Sequence, residues 1–258
     1  NSKEVSQELE YRDQLTTLIQ KLSINLRERK GIMALNILPL VDSQKYYDVA
    51  EIIDYVDFVT ISAFDFYNPS RNPKEADFMS PTKPLQNNND RLPLTSIKEL
   101  YKDWHSQNVP RHKIVVGIAA FGRAWKMSKK SNNNGKPPVK HTDGPAAGGP
   151  QTNMPGLLSW PEICEKLKHD SKLTRVTDTK AKSGIYAFRP ADSRGNFGIW
   201  ISYEDPISVA AKVEYIRNHN LGGIGLFDIS LDDMHGQCNG EKFPILRTIQ
   251  FRLSRDLS

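Results

Sequence analysis

Four short apolar runs limit the folds open to this chain more than anything else in it. They fall at residues 31–40, 56–64, 114–121 and 222–231, and each ends in a polar or glycine-containing turn. In the second run Val56, Phe58, Val59 and Ile61 leave no face for solvent, as expected of a strand buried on both sides of a parallel sheet. Parallel neighbours need long crossovers, and the segments between these runs carry helical spacing. The expected fold is therefore α/β, built from β/α units.

The first segment, about residues 5–27, spaces Leu15, Leu18, Ile19, Leu22 and Leu26 as one apolar face of a helix, closed by a basic last turn and a C-cap glycine at Lys30-Gly31. Further helices are expected over about residues 45–53 and 96–107, the latter with Ile97, Leu100, Tyr101 and Trp104 on one face. Between them lies a Pro- and Asn-rich loop, residues 67–94, of a length that usually carries function. From about residue 127 to 205 the chain turns dense in Gly, Pro, Asn and Ser, broken by short pieces at 184–188 and 198–203 that read as antiparallel strands of an inserted α+β subdomain. Asp205-Pro206 forms an N-cap and N1 pair opening a helix to about residue 217, and a last helix is expected over about 244–253. A chain that opens on a core-facing helix leaves that face without a partner, so more sequence is expected in front of it.

At 258 residues the chain is long enough to bury a substantial core. Its net charge is +5, but the signs are interspersed and no block of five like charges occurs, which indicates a mixed solvated surface and no nucleic-acid partner. No apolar run approaches the ~20 residues of a membrane span, so no membrane insertion is expected. Cys164 and Cys238 have no CxxC or Cys/His ligand spacing around them, so no metal is expected. Their positions alone are compatible with one disulfide or with two buried thiols, a bridge requiring an oxidising compartment. The six histidines lie mostly in loops or at helix ends among charges. GxSxG, Walker, HExxH and dinucleotide motifs are all missing, and no cofactor is expected.

In β/α folds the site gathers at the C-terminal ends of the strands, which selects Asn36, Asp65, Arg123, Asp228, Asp232 and Asp233. Asp232 and Asp233 could be paired carboxylates for acid and base work. Adjacent strand residues point to opposite faces, however, and Asp at a strand-to-helix junction more often caps, so the capping reading is preferred. Asp65, between Phe64 and Phe66-Tyr67, is more suggestive: a carboxylate among aromatic rings has a raised pKa or a specific partner. The aromatics also suit a carbohydrate.

Residues 56–67, 113–125, 155–164, 200–205 and 222–244 resemble, in order and spacing, the back half of glycoside hydrolase family 18 chitinases. More narrowly, AFDF at 63–66, RNPKEAD at 71–77, FGRAWKM at 121–127, TDGP at 142–145 and GLLSWPEIC at 156–164 resemble insect imaginal disc growth factors, and the likeness covers essentially the whole chain. The resemblance implies a (β/α)8 TIM barrel in which this chain supplies strands five to eight, residues 1–123 and 206–258 forming the C-terminal half of the barrel and residues 124–205 the inserted α+β subdomain. It also implies a Cys164–Cys238 disulfide, and with it an extracellular protein.

The family's general acid is a Glu in the pattern DxxDxDxE, which occurs nowhere in this chain, and the chain begins just after the place it would occupy. A Tyr-Asp pair then steadies the substrate's N-acetyl group; here the Tyr position is Phe64 and only Asp65 remains. Losing a donor aimed at developing charge costs ~2.7–4 kcal/mol. The family's Met is Ser62, a further Tyr is Phe121, and the Trp floor of the sugar site is Phe227. Arg123 and Trp200 match but also have structural readings, as partner of a strand-end carboxylate and as core of the insertion. The resemblance thus implies a secreted, non-catalytic chitinase-like growth factor of the haemolymph, promoting cell proliferation, polarisation and motility together with insulin through a cell-surface receptor. Asp65, Arg123, Trp125 and Phe227 are the candidates for residual binding of chitooligosaccharide or another glycan. The alternatives are a chitin-binding lectin, or an active chitinase if DxxDxDxE lies upstream.

Overall fold

The computed structural model describes residues 2–84, 94–178 and 184–254. Helix α1 (Ser2–Glu28) ends as Lys30 enters the left-handed region at φ 57° and the Gly31 N–H donates to the Leu26 carbonyl at 2.7 Å. This corrects the expected C-cap: Lys30, not Gly31, takes the positive φ. Gly31 is useful because a Cβ there would come within 3.0 Å of Leu26 Cδ2. The apolar face of α1 is also narrower than its spacing suggests. Ile19 and Ser23 are buried and Leu15 and Leu26 half-buried, whereas Leu18 and Leu22 remain 52% and 45% exposed.

Strand β1 (Ala34–Ile37) leads into two one-turn helices, α2 (Ser43–Tyr46) and α3 (Val49–Ile52), rather than one continuous helix. Asp42 and Asp48 each act as an N-cap, and the second cap interrupts the helix that apolar spacing predicted. Strand β2 (Phe58–Ser62) follows, then the two-residue β3 (Glu75–Ala76) and α4 (Ile97–Ser106), capped by Ser96 and burying Ile97, Leu100, Tyr101 and Trp104. Residues 85–93 of the long loop lie outside the described residues.

The third apolar run divides. Strand β4 (Ile114–Ala119) stays in the parallel sheet, and after Ala120 the chain starts a second sheet with β5 (Phe121–Lys126). Then come β6 (Val139–Lys140), β7 (Leu157–Ser159), α5 (Trp160–His169), β8 (Thr174–Asp178), β9 (Gly184–Arg189) and β10 (Ile199–Tyr203). The antiparallel order is β7-β5-β10-β9-β8, and β6 pairs with β3. Helix α6 (Pro206–Asn218), with Asp205 accepting the Ser208 N–H at 2.8 Å, returns the chain to β11 (Gly223–Phe227), and α7 (Pro244–Ser254) closes it.

The parallel sheet has the order β1-β2-β4-β11, all in chain order, with Ser62 opposite Gly117 and Ala119 opposite Phe227. Val59, Ile61, Val116 and Ile118 are buried at its centre, each contributing roughly 1.5–3 kcal/mol of hydrophobic stabilisation. In the antiparallel sheet Trp125 and Trp200 are cross-strand partners with ring centroids 5.6 Å apart, and Tyr186 stacks on Trp200 at 5.2 Å. Cys164 on α5 and Cys238 in the loop after β11 are joined by a disulfide, their Cα atoms 5.7 Å apart.

Candidate functional site

Three strand ends meet. Strand β2 runs out into Ala63-Phe64-Asp65, β4 into Ala120 and the start of β5, and β11 into Phe227-Asp228. Gly117 lets them converge, since a Cβ there would lie 3.1 Å from Phe64 Cε1 and 3.3 Å from Phe227 Cε2. The rings of Phe64 and Phe227 sit 5.1 Å apart, and Phe121 meets Phe64 edge-on at 5.7 Å. Three of the positions singled out in the sequence therefore form one apolar floor.

Asp65 and Arg123 stand beside it as a bidentate pair: Nε donates to Oδ1 and a terminal nitrogen to Oδ2, both at 2.6 Å. The two side chains are 17% and 19% exposed, so water reaches them but does not surround them. The Arg123 guanidinium also lies 4.9 Å from the Phe121 ring centre. Asp65 adopts φ 59°, a conformation costly for a residue with a side chain, and Arg71 holds it there by donating to the carbonyls of Asp65 and Phe66. With both oxygens engaged, Asp65 would meet a ligand only through its remaining lone pairs.

A buried network anchors this turn from behind. Ser80 Oγ donates to the Ala63 carbonyl at 2.6 Å, and the Phe66 N–H donates to the Met79 carbonyl at 3.0 Å. Lys212 on α6, fully buried, donates to the Ser80 carbonyl and hydroxyl at 2.5 and 2.7 Å and pairs with Glu204, whose other oxygen accepts from Ser208 Oγ at 2.6 Å. Burial pulls the Lys212 amine below its ordinary range, against the opposing attraction of Glu204. Nothing in the sequence distinguishes Lys212 from a solvated helix lysine. Its partners are 8 and 132 residues away, so only the fold brings them to it.

The remaining strand-end groups each make a hydrogen bond that supports the local chain. Asp232 is buried and accepts the N–H groups of Asp233, Ile245 and Leu246, capping α7; burial raises its pKa, the three N–H bonds opposing. Asp233 accepts from the Gln237 and Cys238 N–H groups at 2.9 and 2.7 Å, so the two carboxylates cap and brace turns, as preferred from the sequence. Asp228 caps the short helical turn of residues 229–231, and Asn36 accepts a 3.1 Å bond from Ser62 Oγ. Trp125 corrects its expectation as a glycan-binding residue: the ring is completely buried against Trp200, with Nε1 donating to the Asn72 carbonyl at 2.9 Å, and presents no face to a sugar. Trp200 is likewise core. Among the described residues no group of three or more His, Cys, Asp or Glu side chains is arranged to hold a metal ion, and no helix is long and apolar enough to cross a membrane.

The parallel sheet with its strand-end site is that of an α/β protein, and the family match and the superposition on a chitinase make the fold TIM-barrel-type. The chain belongs to glycosyl hydrolases family 18, whose model matches residues 4–232, and its curated relatives include the Idgf chitinase-like proteins. It is 44% identical over 252 residues to the chitinase-like protein Idgf3 of Drosophila melanogaster, a match covering 94% of this chain and 57% of that relative. The chain thus spans little more than half the length of the relatives it matches. Among solved structures, the Group IV chitinase of Ostrinia furnacalis superposes with a TM-score of 0.84 at 26% identity, over 95% of this chain and 64% of that one. Human YKL-39, described as a pseudo-chitinase with retained chitooligosaccharide binding properties, superposes with a TM-score of 0.83 at 22% identity over 94% of this chain and 65% of that one, a likeness of fold alone.

Proposed function

We propose that this chain is the C-terminal part of a secreted, non-catalytic chitinase-like growth factor. It acts extracellularly, in haemolymph, through a cell-surface receptor and in cooperation with insulin, to promote proliferation, polarisation and motility. In this reading β1, β2, β4 and β11 are strands five to eight of a (β/α)8 barrel, and residues 124–205 are an inserted α+β subdomain. The outer strands β1 and β11 each have one sheet neighbour among the described strands, and Leu18 and Leu22 of α1 are uncovered, which supports a front half packed there.

The observation that carries the loss of catalysis is Phe64. Its ring is lodged between Phe121 and Phe227 at the place where the family uses a tyrosine hydroxyl, so the site lacks a donor for the charge that develops on the substrate's N-acetyl group. The test is hydrolysis of a fluorogenic chitobioside by the protein in its native full length. Release at the rate of the buffer alone is expected; turnover of ~1 s⁻¹ or faster would overturn the reading.

A second reading, glycan binding without hydrolysis, is favoured by the Asp65–Arg123 pair beside the half-buried rings of Phe64 and Phe227. Titration with chitohexaose, read by tryptophan fluorescence, tests it: saturation that Asp65→Ala abolishes supports a lectin, and a flat titration to millimolar ligand removes it.

A further inference from the structure

Away from the strand ends, three separate stretches of chain bring cations together. Lys74 before β3, Lys129 and Lys130 after β5, and Arg194 between β9 and β10 line one recess of about 500 Å³, with His141 beside them and Asp143 as the carboxylate among its lining. Lys74 pairs with Asp143 across 3.4 Å at an exposed position, a contact that a competing anion displaces readily. Among the described residues Lys129, Lys130 and Arg194 have no carboxylate within ion-pair distance. Gathering like charges costs energy, and a cleft lined by one sign of charge concentrates counter-ions of the other.

The recess is built rather than accidental. Ser128 Oγ donates to the His141 carbonyl at 2.5 Å and accepts the Lys130 N–H at 3.1 Å, fixing the lysine turn. Thr142 is tied to residues 73 and 74 by bonds of 3.0 and 3.3 Å. The Lys129 stem lies over Gly195, so close that a Cβ there would meet it at 3.3 Å, and Asp192 accepts the N–H groups of Arg194 and Asn196 to shape the third wall. In the same loop Phe197 holds φ 61° with its side chain 72% exposed. A bulky residue in that backbone region is strained, and here its ring faces water. Beyond the loop lies a second recess of about 620 Å³, lined by Lys172, Arg189, Pro190, Asp192 and Phe197, in which Arg189 is already paired with Asp170 and Lys172 is the unpaired cation among the described residues.

The geometry points to a binding site for a sulfated polysaccharide, with anionic groups in the recess of Lys129, Lys130 and Arg194 and a sugar ring against Phe197. Three unpaired cations in one recess, with an exposed aromatic ring and Lys172 beyond it, suit an extended chain of repeated anions better than one phosphate. A single exposed ring is too little apolar surface to anchor the face in a lipid bilayer. This site is distinct from the strand-end cluster and does not depend on the function proposed for it.

The experiment is binding to heparin by the native full-length protein, with salt titration, using the charge reversal K129E/K130E/R194E at exposed positions. A control, K21E/K102E/K242E, makes the same change in net charge elsewhere. Losing three cations at about fivefold each weakens binding roughly 100-fold, so the recess variant, which also adds three carboxylates, should bind at least that much more weakly while the control stays close to wild type. Phe197→Ala should weaken heparin binding without changing its salt dependence. The assignment is overturned if the two charge variants weaken equally, if desulfated heparin binds as well as heparin, or if phosphatidylserine vesicles or a single-stranded oligonucleotide bind better. Circular dichroism of each variant confirms that a loss reflects the surface and not unfolding.

Discussion

Replacing Lys212 separates two roles that the structure combines. Its ammonium and the Glu204 carboxylate are each only 2% exposed, and the ammonium also donates to both oxygens of Ser80, which in turn holds the Ala63 carbonyl next to Phe64. Lys212→Ala leaves Glu204 charged, buried and without its cation, at a cost of about 3–5 kcal/mol. At ~2–4 °C per kcal/mol for a domain of this size, the melting temperature should fall by on the order of 10 °C. The double variant K212M/E204L removes both charges and leaves Ser80 and Ser208 each short of a partner, so its net cost should be about 2 kcal/mol or less. Urea unfolding followed by tryptophan fluorescence measures both. If Lys212→Ala costs under about 1 kcal/mol, or if the double variant costs as much as the single, the ion pair is not what holds the strand-end turn and the account of the site's support is wrong.

Four further outcomes follow from the same structure. Glu162 is driven up by burial but more than offset by the N–H groups of Thr152, Ser159 and Gln151 and the Thr152 hydroxyl, so its folded pKa lies below the ordinary 4.5. Its stabilising contribution is then complete above that value and lost as pH falls through the folded pKa. Glu162→Gln should flatten this acid limb in denaturation curves taken from pH 6 down to about 3; an unchanged limb would refute the assignment. Replacing Cys164 and Cys238 by Ser opens a loop of 74 residues and should cost about 4 kcal/mol by the loop-entropy relation, seen as a lower urea midpoint in the variant without added reductant. Arg123→Ala should destabilise by about 1–3 kcal/mol through the unpaired, half-buried Asp65, and Arg123→Lys should recover only part because an ammonium cannot make the bidentate contact. Hydrogen exchange should show β1 and β11 protected in the native full-length protein and unprotected in the isolated 258 residues; full protection of a monomeric isolated chain would contradict the barrel-half reading.

The periodic parts of the fold were readable without coordinates because their signals are local. Val56 to Ile61 and Ile114 to Ile118 are strands in any setting that buries both faces, and Asp205-Pro206 starts a helix through its own backbone chemistry. The capping roles of Asp232 and Asp233 and the pairing of Asp65 with Arg123 were likewise among the readings that the strand-end positions allowed. Where local signals compete, the sequence misled. Asp48 is a better cap than its surroundings are a helix, Lys30 accepts the left-handed turn that the next glycine suggested, and the run ending at Phe121 changes sheets at Ala120.

What the amino-acid order determined by itself was thus the class of fold, the family and the chemical identity of the strand-end residues: three phenylalanines, one aspartate and one arginine. Tertiary structure alone decided that Trp125 is interior, that Gly117 makes room for two rings and that Lys212 is buried beneath the turn it supports. It also decided that Lys74, Lys129, Lys130 and Arg194 share one recess, although the sequence reads as evenly mixed charge. Periodicity and capping act over a few residues and leave their mark in sequence. Burial and charge clustering depend on partners that only folding brings near, and no local pattern encodes them.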